Sequence, residues 1–227
     1  MASPRWLTRI LACAALTNHV VGAVATGYRT SARQHTGWAD IGERHLFFWF
    51  HEARHDEQDA PLMIWFQGGP GGSSLHGMLY ENGPCLSDGA NGTEFNPNSW
   101  TEHFNIIYLD RPAGVGFSYV DDYSDETSYP SRAEESALDI ISFIKLFYEA
   151  FPDFADADLH LAGESYAGRY IPSIASTILE YNDFLTSAPD VKAALATIPL
   201  RSSMLGNPWI SPAEQLVSIL CQGVKSC

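Results

Sequence analysis

The stretch LHLAGESYAGRY, residues 159–170, joins an apolar strand-like segment to a helical one through a turn that carries a serine. Small residues, Gly163 and Ala167, flank Ser165 at the two positions where the sharp turn of a nucleophile elbow requires them. The N-terminus of the following helix would direct N–H groups and the positive end of its dipole at an oxyanion. The pattern therefore predicts a serine nucleophile, with a serine in an ordinary strand-to-helix turn as the alternative.

A glycine-rich loop, GGPGGSS at residues 68–74, follows the apolar segment LMIWFQ at residues 62–67. In α/β-hydrolases, the second oxyanion donor comes from a loop after an early strand. A phosphate-binding loop is disfavoured because the Lys-Ser/Thr ending and the spacing of that motif are missing. The loop is predicted to serve an oxyanion, and a structural Gly-Pro turn is the remaining alternative.

Strand-like and helical segments alternate along the chain, which predicts an α/β fold with a mostly parallel sheet and helices on both faces. HLFFWFHEA (45–53) and LMIWFQ (62–67), joined by a charged turn, are predicted to form an antiparallel hairpin at the N-terminal side of the sheet. FNIIYLD (104–110) and LRSSMLGNP (200–208) are predicted to be further strands.

Two helices are predicted from turn chemistry and apolar spacing. Ser131 and Glu134 form a capping-box pattern that opens a helix running to about Ala150. The second helix begins at the nucleophile turn and reaches about Tyr181. The apolar face of the first helix is Ala137, Ile140, Ile141, Ile144 and Phe147 or Tyr148.

The chain has 227 residues, 45% of them hydrophobic, which suits one large globular domain. Its formal net charge of −14 argues against nucleic acid as a partner, because phosphates would be repelled. No cofactor or metal is expected, and the sequence carries no prediction of oligomeric state.

The first 25 residues have the features of a signal peptide, with a buried N-terminal helix as the alternative. Arg5 and Arg9 precede the short apolar run ILACAAL, and Ala23-Val24-Ala25 is a small-residue cleavage site. No other stretch approaches the ~20 apolar residues of a membrane helix, so no membrane association is expected after signal removal. The expected location is the secretory pathway, either secreted or vacuolar/lysosomal.

Export would affect the interpretation of two further features, a glycosylation triplet and the number of cysteines. Asn91 begins an Asn-Gly-Thr triplet and is a predicted N-glycosylation site. Loss of Cys13 with the signal leaves Cys85, Cys221 and Cys227, an odd number. Either one thiol is free or its partner lies outside this chain.

Six blocks of the sequence, in order, resemble the serine carboxypeptidase family over about Thr36 to Pro212. The resemblance implies an α/β-hydrolase fold and release of C-terminal residues from peptides or proteins with a free C-terminus, best at acidic pH. The blocks are HLFFWF, WFQGGPGGSS, ENGPC, DRPAGVGFSY, LAGESYAGRYIP and MLGNPWISP.

By position, the resemblance makes Ser165 the nucleophile and the N–H groups of Gly69 and Tyr166 the oxyanion hole. It also implies a set of residues that binds the substrate's carboxylate. Two glutamates can face a carboxylate if they share a proton at low pH, because clustered acids raise one another's pKa. Without the resemblance, both glutamates would be interpreted as solvated acids. The carboxylate-binding set is Trp65, Gln67, Gly68, Glu81 and Glu164.

Four residues depart from the family pattern. Gln67 stands where asparagine is commonest, and Gly72 replaces a cysteine, which removes the disulfide that most members anchor there. Arg111 and Pro208 stand where glutamine and glycine are usual. We expect neither of the last two to bear on the chemistry.

The histidine base of a serine hydrolase is not evident. All eight histidines precede Ser165, whereas the order in this fold is Ser, then Asp/Glu, then His. His160, five residues before Ser165, is predicted to lie on a sheet face, and Asp183 and Asp190 lie around the end of the helix.

Residues 26–227 are therefore expected to be the N-terminal part of a hydrolase domain that ends near the family's cap insertion. On this interpretation the polypeptide alone has little peptidase activity. The alternatives are a secreted peptide-binding protein without catalysis and an acyltransferase on the same fold.

Overall fold

The structure is a computed structural model that describes residues 33–89, 92–187 and 195–223. The predicted signal peptide, Asn91, Asp190 and Cys227 lie outside these ranges, as does the side chain of Cys221. Cys85 forms no disulfide within the described ranges. Within the described ranges, no helix combines the length and the apolar character needed to cross a bilayer.

Nine strands and four α-helices make up the described fold. The strands are β1 (Gln34–Ile41), β2 (Arg44–His51), β3 (Leu62–Phe66), β4 (Cys85–Ser87), β5 (Thr93–Phe95), β6 (Asn105–Leu109), β7 (Tyr119–Val120), β8 (Leu159–Glu164) and β9 (Leu200–Gly206). The helices are α1 (Ser74–Tyr80), α2 (Ala133–Ala150), α3 (Ala167–Ser187) and α4 (Pro212–Gly223), with short 3₁₀ turns at Trp100–Glu102, Glu126–Ser128 and Pro152–Phe154.

Seven of the strands form one mixed sheet in the order β1-β2-β6-β3-β8-β9, with β7 paired to β2. β6, β3, β8 and β9 are parallel, whereas β1, β2 and β7 pair antiparallel. Every residue of β3 and of β6 is buried, as expected for central strands covered on both faces. The predicted α/β fold class is confirmed.

The N-terminal hairpin exists, but its partners differ from the prediction. β2 pairs with β1 through the turn at Gly42, whose φ of 64° is the left-handed conformation that glycine adopts readily. On its other side β2 contacts β6, so the predicted pairing of residues 45–53 with residues 62–67 is wrong. β6 lies between these segments because it also pairs in parallel with β3.

Two hydrophobic clusters occupy the two faces of the sheet. α2 and α3 cover one face, and the predicted apolar side of α2 is buried there, including Ile140, Ile144 and Phe147. α1 covers the other face, where Leu75 and Met78 belong to the second cluster. The long C-terminal extension of α3 beyond Tyr181 is explained by Leu185, which is fully buried.

The start of α2 differs from the predicted capping box. The helix begins at Ala133, and its N-cap residue, Arg132, makes no side-chain capping hydrogen bond. The Ser131 N–H and hydroxyl both donate to the carboxylate of Glu135, at 3.0 and 3.3 Å, and not to Glu134. The N-cap side chain therefore does not satisfy the first N–H groups of α2, and Glu134 and Glu135 place acidic groups in the first turn, near the positive end of the helix dipole.

Candidate active site

Ser165 lies at the tip of a strained turn between β8 and α3. Its φ is 55°, the left-handed region that a non-glycine residue adopts only when its surroundings impose it. The Ser165 N–H donates to Gly206 O at 3.0 Å, and the Ser165 carbonyl accepts from the N–H groups of Gly168 and Trp209 at 3.0 and 2.8 Å. These three hydrogen bonds fix the backbone while the side chain remains exposed. This geometry matches the predicted nucleophile elbow.

The small residues around the turn are required by close packing. A Cβ added at Gly163 would lie 2.3 Å from Phe66 O and 2.8 Å from the Cβ of Ala167. A Cβ added at Gly168 would lie 2.8 Å from the Cβ of Pro208. Thus Pro208, for which no chemical role was expected, packs against the helix behind the nucleophile.

The glycine-rich loop packs directly against the elbow. A Cβ at Gly68 would lie 2.7 Å from both the Cβ of Ser165 and the N of Tyr166. Gly69 is exposed and has a φ of 117°, which favours glycine. Neither the Gly69 N–H nor the Tyr166 N–H donates a hydrogen bond to any residue of the described ranges. The loop that carries one predicted oxyanion donor therefore contacts the residue that carries the other.

Asp110, at the end of β6, anchors this loop. Its carboxylate is fully buried and accepts from the Ser73 hydroxyl at 2.6 Å and from the N–H groups of Ser74 and Phe117, each at 2.9 Å. Burial raises the pKa of Asp110, and these hydrogen bonds oppose the rise. Asp110 had no predicted role, although its place straight after a buried strand is where functional side chains of α/β sheets collect.

Removing the Ser73 hydroxyl tests this anchor. The hydroxyl also accepts from the Leu75 N–H and so caps α1. We expect Ser73→Ala to lower the free energy of unfolding by about 1–2 kcal/mol, because a cap is lost and a buried carboxylate loses a donor. Urea denaturation followed by circular dichroism measures this change. Ser176→Ala, on the exposed face of α3, is the matched control, and equal stability of the two variants would show that the anchor is dispensable.

A side-chain amide holds two carboxylates together beside the nucleophile. The indole N–H of Trp65 donates to Oε1 of Gln67 at 3.0 Å, and since that N–H can only donate, it fixes the orientation of the amide. Nε2 of Gln67 then donates to Glu164 at 2.6 Å and to Glu81 at 3.2 Å. Glu164 immediately precedes Ser165. The structure thus brings together four of the five predicted carboxylate-binding residues, and Gly68 lies against the adjacent elbow.

The Glu81 carboxylate influences the ionisation of Glu164. Burial and the nearby Glu81 carboxylate raise the pKa of Glu164, while the Gln67 amide and His76 act to lower it. His76 Nδ1 lies 3.2 Å from Glu81 Oε1. Glu164 therefore takes up a proton at a higher pH than an ordinary glutamate does.

Two residues that were not predicted, Gly77 and His76, lie against Glu81 or against the groups that hold the two glutamates. A Cβ at Gly77 would lie 2.3 Å from the Trp65 indole nitrogen and 2.8 Å from the Gln67 amide oxygen, so only glycine lets α1 pass beneath them. No role was predicted for His76 either. The five-residue spacing of His76 and Glu81 around the end of α1 is the signal that links them.

Ser165 has no base among the described residues. Its hydroxyl makes no side-chain hydrogen bond within residues 33–89, 92–187 and 195–223. His160 instead lies 2.8 Å from the Ser202 hydroxyl on β9, and burial lowers its pKa. The same part of the chain contains no group of three or more His, Cys, Asp or Glu side chains that could hold a metal ion.

Comparison with known proteins gives one consistent family. The model of the serine carboxypeptidase family matches residues 25–225. Carboxypeptidase Y from Schizosaccharomyces pombe is 39% identical over 191 residues, which are 82% of this chain and 18% of that protein. The pheromone-processing carboxypeptidase kex1 from Sclerotinia sclerotiorum is 40% identical over 194 residues, 83% of this chain and 28% of that protein.

Comparison with solved structures gives the same family. The crystal structure of Kex1ΔP, a prohormone-processing carboxypeptidase from Saccharomyces cerevisiae, superposes with a TM-score of 0.73 at 30% identity over 83% of this chain and 41% of that one. Acetyl xylan esterase 1 from Thermoanaerobacterium, at 10% identity and a TM-score of 0.50, shares the fold alone. The chain spans less than a third of the length of the two curated relatives above.

Proposed function

The chain belongs to the serine carboxypeptidase family, and from this premise we propose that it carries the nucleophile and the substrate-carboxylate site of a serine-type carboxypeptidase. The substrates are peptides or proteins with a free C-terminus. The observation that carries the proposal is the single amide of Gln67 that binds both Glu81 and Glu164 beside Ser165. The relatives named above are carboxypeptidases, which favours peptide hydrolysis over acyl transfer or binding alone.

In the proposed reaction, the Ser165 hydroxyl adds to the carbonyl of the last peptide bond. The resulting oxyanion accepts hydrogen bonds from the Gly69 and Tyr166 N–H groups. Collapse of the adduct breaks the C–N bond, releases the C-terminal amino acid and leaves an acyl ester on Ser165, which water then hydrolyses. A base must take the serine proton and return it to the leaving amine, and the proposal assigns that role to no described residue.

The carboxylate site supplies the specificity for a chain end. Held in place by the two N–H groups of Gln67, Glu81 and Glu164 give the substrate's terminal carboxylate hydrogen-bond donors when they carry a proton. An internal peptide bond or a C-terminal amide lacks the charge that these donors recognise. Selection of chain ends therefore follows from the site and not from the nucleophile.

Peptide binding tests the proposed carboxylate site, because binding does not require the catalytic base. We expect acetyl-Ala-Ala-Phe with a free carboxylate to bind the 227-residue chain about tenfold more tightly than its C-terminal amide at about pH 5.5. Isothermal titration calorimetry measures the difference. Gln67→Ala should abolish the preference, while Gln58→Ala, at an exposed position, should keep it. Equal affinity of the unmodified chain for the two peptides would overturn the proposed carboxylate site.

We also propose that the protein enters the secretory pathway, where it is secreted or delivered to a vacuolar/lysosomal compartment and carries a glycan at Asn91. The basic and apolar segments before Ala25 support this location. An acidic compartment would suit a site in which Glu164 must hold a proton.

A further inference from the structure

A cavity of about 610 Å³ opens beside the nucleophile and is distinct from the carboxylate site. Pro70 and Gly71 of the glycine-rich loop and Tyr166 of the elbow line its near end. Three arginines line it as well, Arg111, Arg132 and Arg169. None of Trp65, Gln67, Glu81 or Glu164 belongs to this lining.

The charge of this cavity is opposite to that of the chain as a whole. The sequence contains 13 Lys and Arg residues against 27 Asp and Glu residues. Three arginines and a single acid, Glu134, line the cavity. Basic residues are scarce in this protein, and its net charge repels anions. A concave surface lined by three arginines and one acid will nevertheless attract anions locally.

Arg111 is the innermost of the three cations. The residue is only 5% exposed, and its Nε and Nη1 atoms, which are themselves buried, have no hydrogen-bond partner among the described residues. Nη2 donates to the Ser136 hydroxyl, and the guanidinium lies 4.1 Å from the centre of the Tyr170 ring. Burial lowers the pKa of Arg111 to about 10, so the side chain stays charged at neutral and acidic pH. The Asp139 carboxylate already compensates part of this buried charge from within the fold, and an anion in the cavity would add to that compensation.

The N-terminus of α2 adds to the same cavity. Its residues Ala133 and Glu134 belong to the lining, and the N-cap, Arg132, provides no side-chain acceptor for the first N–H groups of this 18-residue helix. An uncapped helix N-terminus favours negative charge. The N-terminus of α2 and the buried guanidinium of Arg111 therefore both favour an anion in this cavity.

The position of the cavity indicates which part of a substrate reaches it. Glu164 and Tyr166 are the residues before and after Ser165, and they belong to the carboxylate site and to the cavity, respectively. A peptide whose terminal carboxylate is at Glu164 and whose last peptide bond is at Ser165 can extend past Tyr166 into this cavity. We propose that the cavity binds an acidic side chain of the residue on the N-terminal side of the scissile bond. This specificity rests on the proposed carboxypeptidase function.

Four peptides separate the two proposals. Acetyl-Ala-Glu-Phe and its neutral isostere acetyl-Ala-Gln-Phe are each prepared as the free acid and as the C-terminal amide. Their affinities for the 227-residue chain are measured by calorimetry at about pH 5.5, where a glutamate side chain is mostly ionised. We expect the Glu peptide to bind about tenfold more tightly than the Gln peptide in both forms.

Variants that each remove one positive charge test whether this cavity causes the preference for the Glu peptide over the Gln peptide. Arg169→Gln and Arg132→Gln change exposed side chains and should each reduce the Glu-over-Gln ratio by a factor of about three or more. Arg201→Gln is the matched control, because it removes one exposed positive charge at the far end of β9 and should leave the ratio unchanged. Arg111→Gln should remove most of the preference if the variant folds.

Each outcome decides one proposal. Equal binding of the Glu and Gln peptides, or a ratio that neither Arg169→Gln nor Arg132→Gln lowers, overturns the cavity assignment. In that case a retained preference for free acids over amides leaves the proposed function standing. Loss of the acid-over-amide preference, with the Glu-over-Gln ratio intact, overturns the proposed function and keeps an anion-binding cavity.

Discussion

Gly163→Ala is expected to lower the free energy of unfolding by about 3 kcal/mol, because the new methyl group has no space. Gly163 pairs with Phe66 across β8 and β3, in the middle of the sheet. The added Cβ would lie 2.3 Å from the Phe66 carbonyl oxygen and 2.8 Å from the Ala167 Cβ. Both obstacles are fixed, one by the backbone of a buried strand and the other by the first turn of α3. The strand must therefore shift, and the nucleophile turn moves with it.

Gly206→Ala is the matched control for this substitution. Gly206 pairs with Glu164 on the neighbouring strand, and a Cβ there would approach no atom closer than 3.7 Å. We expect a change of no more than about 0.5–1 kcal/mol, in either direction, because the loss of unfolded-state freedom alone favours alanine slightly. Urea denaturation of both variants gives the comparison. Equal stabilities would mean that the sheet accommodates a side chain at Gly163 and that the glycine serves no packing need.

Local sequence patterns were enough to predict the central part of the fold. β3 is a continuous apolar run, β6 and β8 are largely apolar, and the turn chemistry around Ser165 depends on its immediate neighbours. β1 was missed because QHTGWADI is largely polar and only alternate positions are buried. The partner of β2 could not be predicted either, since it depends on β6, a segment more than 50 residues away, which pairs with both β2 and β3.

The candidate site could be predicted only through the family resemblance. Gln67 and Glu164 are 97 residues apart, and no local pattern places their side chains 2.6 Å from each other. The roles of Asp110 and Gly77 arise from packing between elements, so their identities alone carried no signal. The same holds for Arg111, whose importance appears only when the cavity brings it near Arg132 and Arg169. The catalytic roles of the predicted residues stay predictions until they are measured.

Binding of a free C-terminal carboxylate is expected to weaken by up to about tenfold per pH unit above the pKa of Glu164. Burial and the Glu81 carboxylate already raise the pKa of Glu164, so this group keeps its proton to a higher pH than an ordinary glutamate does. A protonated Glu164 can donate a hydrogen bond to the incoming carboxylate, whereas an ionised Glu164 adds a further negative charge beside it. The loss of affinity therefore begins at a higher pH than it would beside an ordinary glutamate.

Glu164→Gln tests the shared proton directly. The amide donates a hydrogen bond at every pH, so we expect a nearly flat pH profile and, at pH 7, tighter binding than in the unmodified chain. Glu94→Gln, at an exposed position on β5, should leave the pH dependence unchanged. A profile of Glu164→Gln parallel to that of the unmodified chain would show that another group carries the proton.

The same substitution has an expected signature in stability. A carboxyl group whose pKa is raised in the folded state makes its full contribution to stability below the unfolded-state pKa, where it is neutral. That contribution is lost as the pH rises through the folded-state pKa. Glu164→Gln should therefore gain stability relative to the unmodified chain between about pH 4 and pH 7. Thermal unfolding at these two pH values measures the change without any ligand, and a difference independent of pH would contradict the raised pKa of Glu164 on which the binding prediction rests.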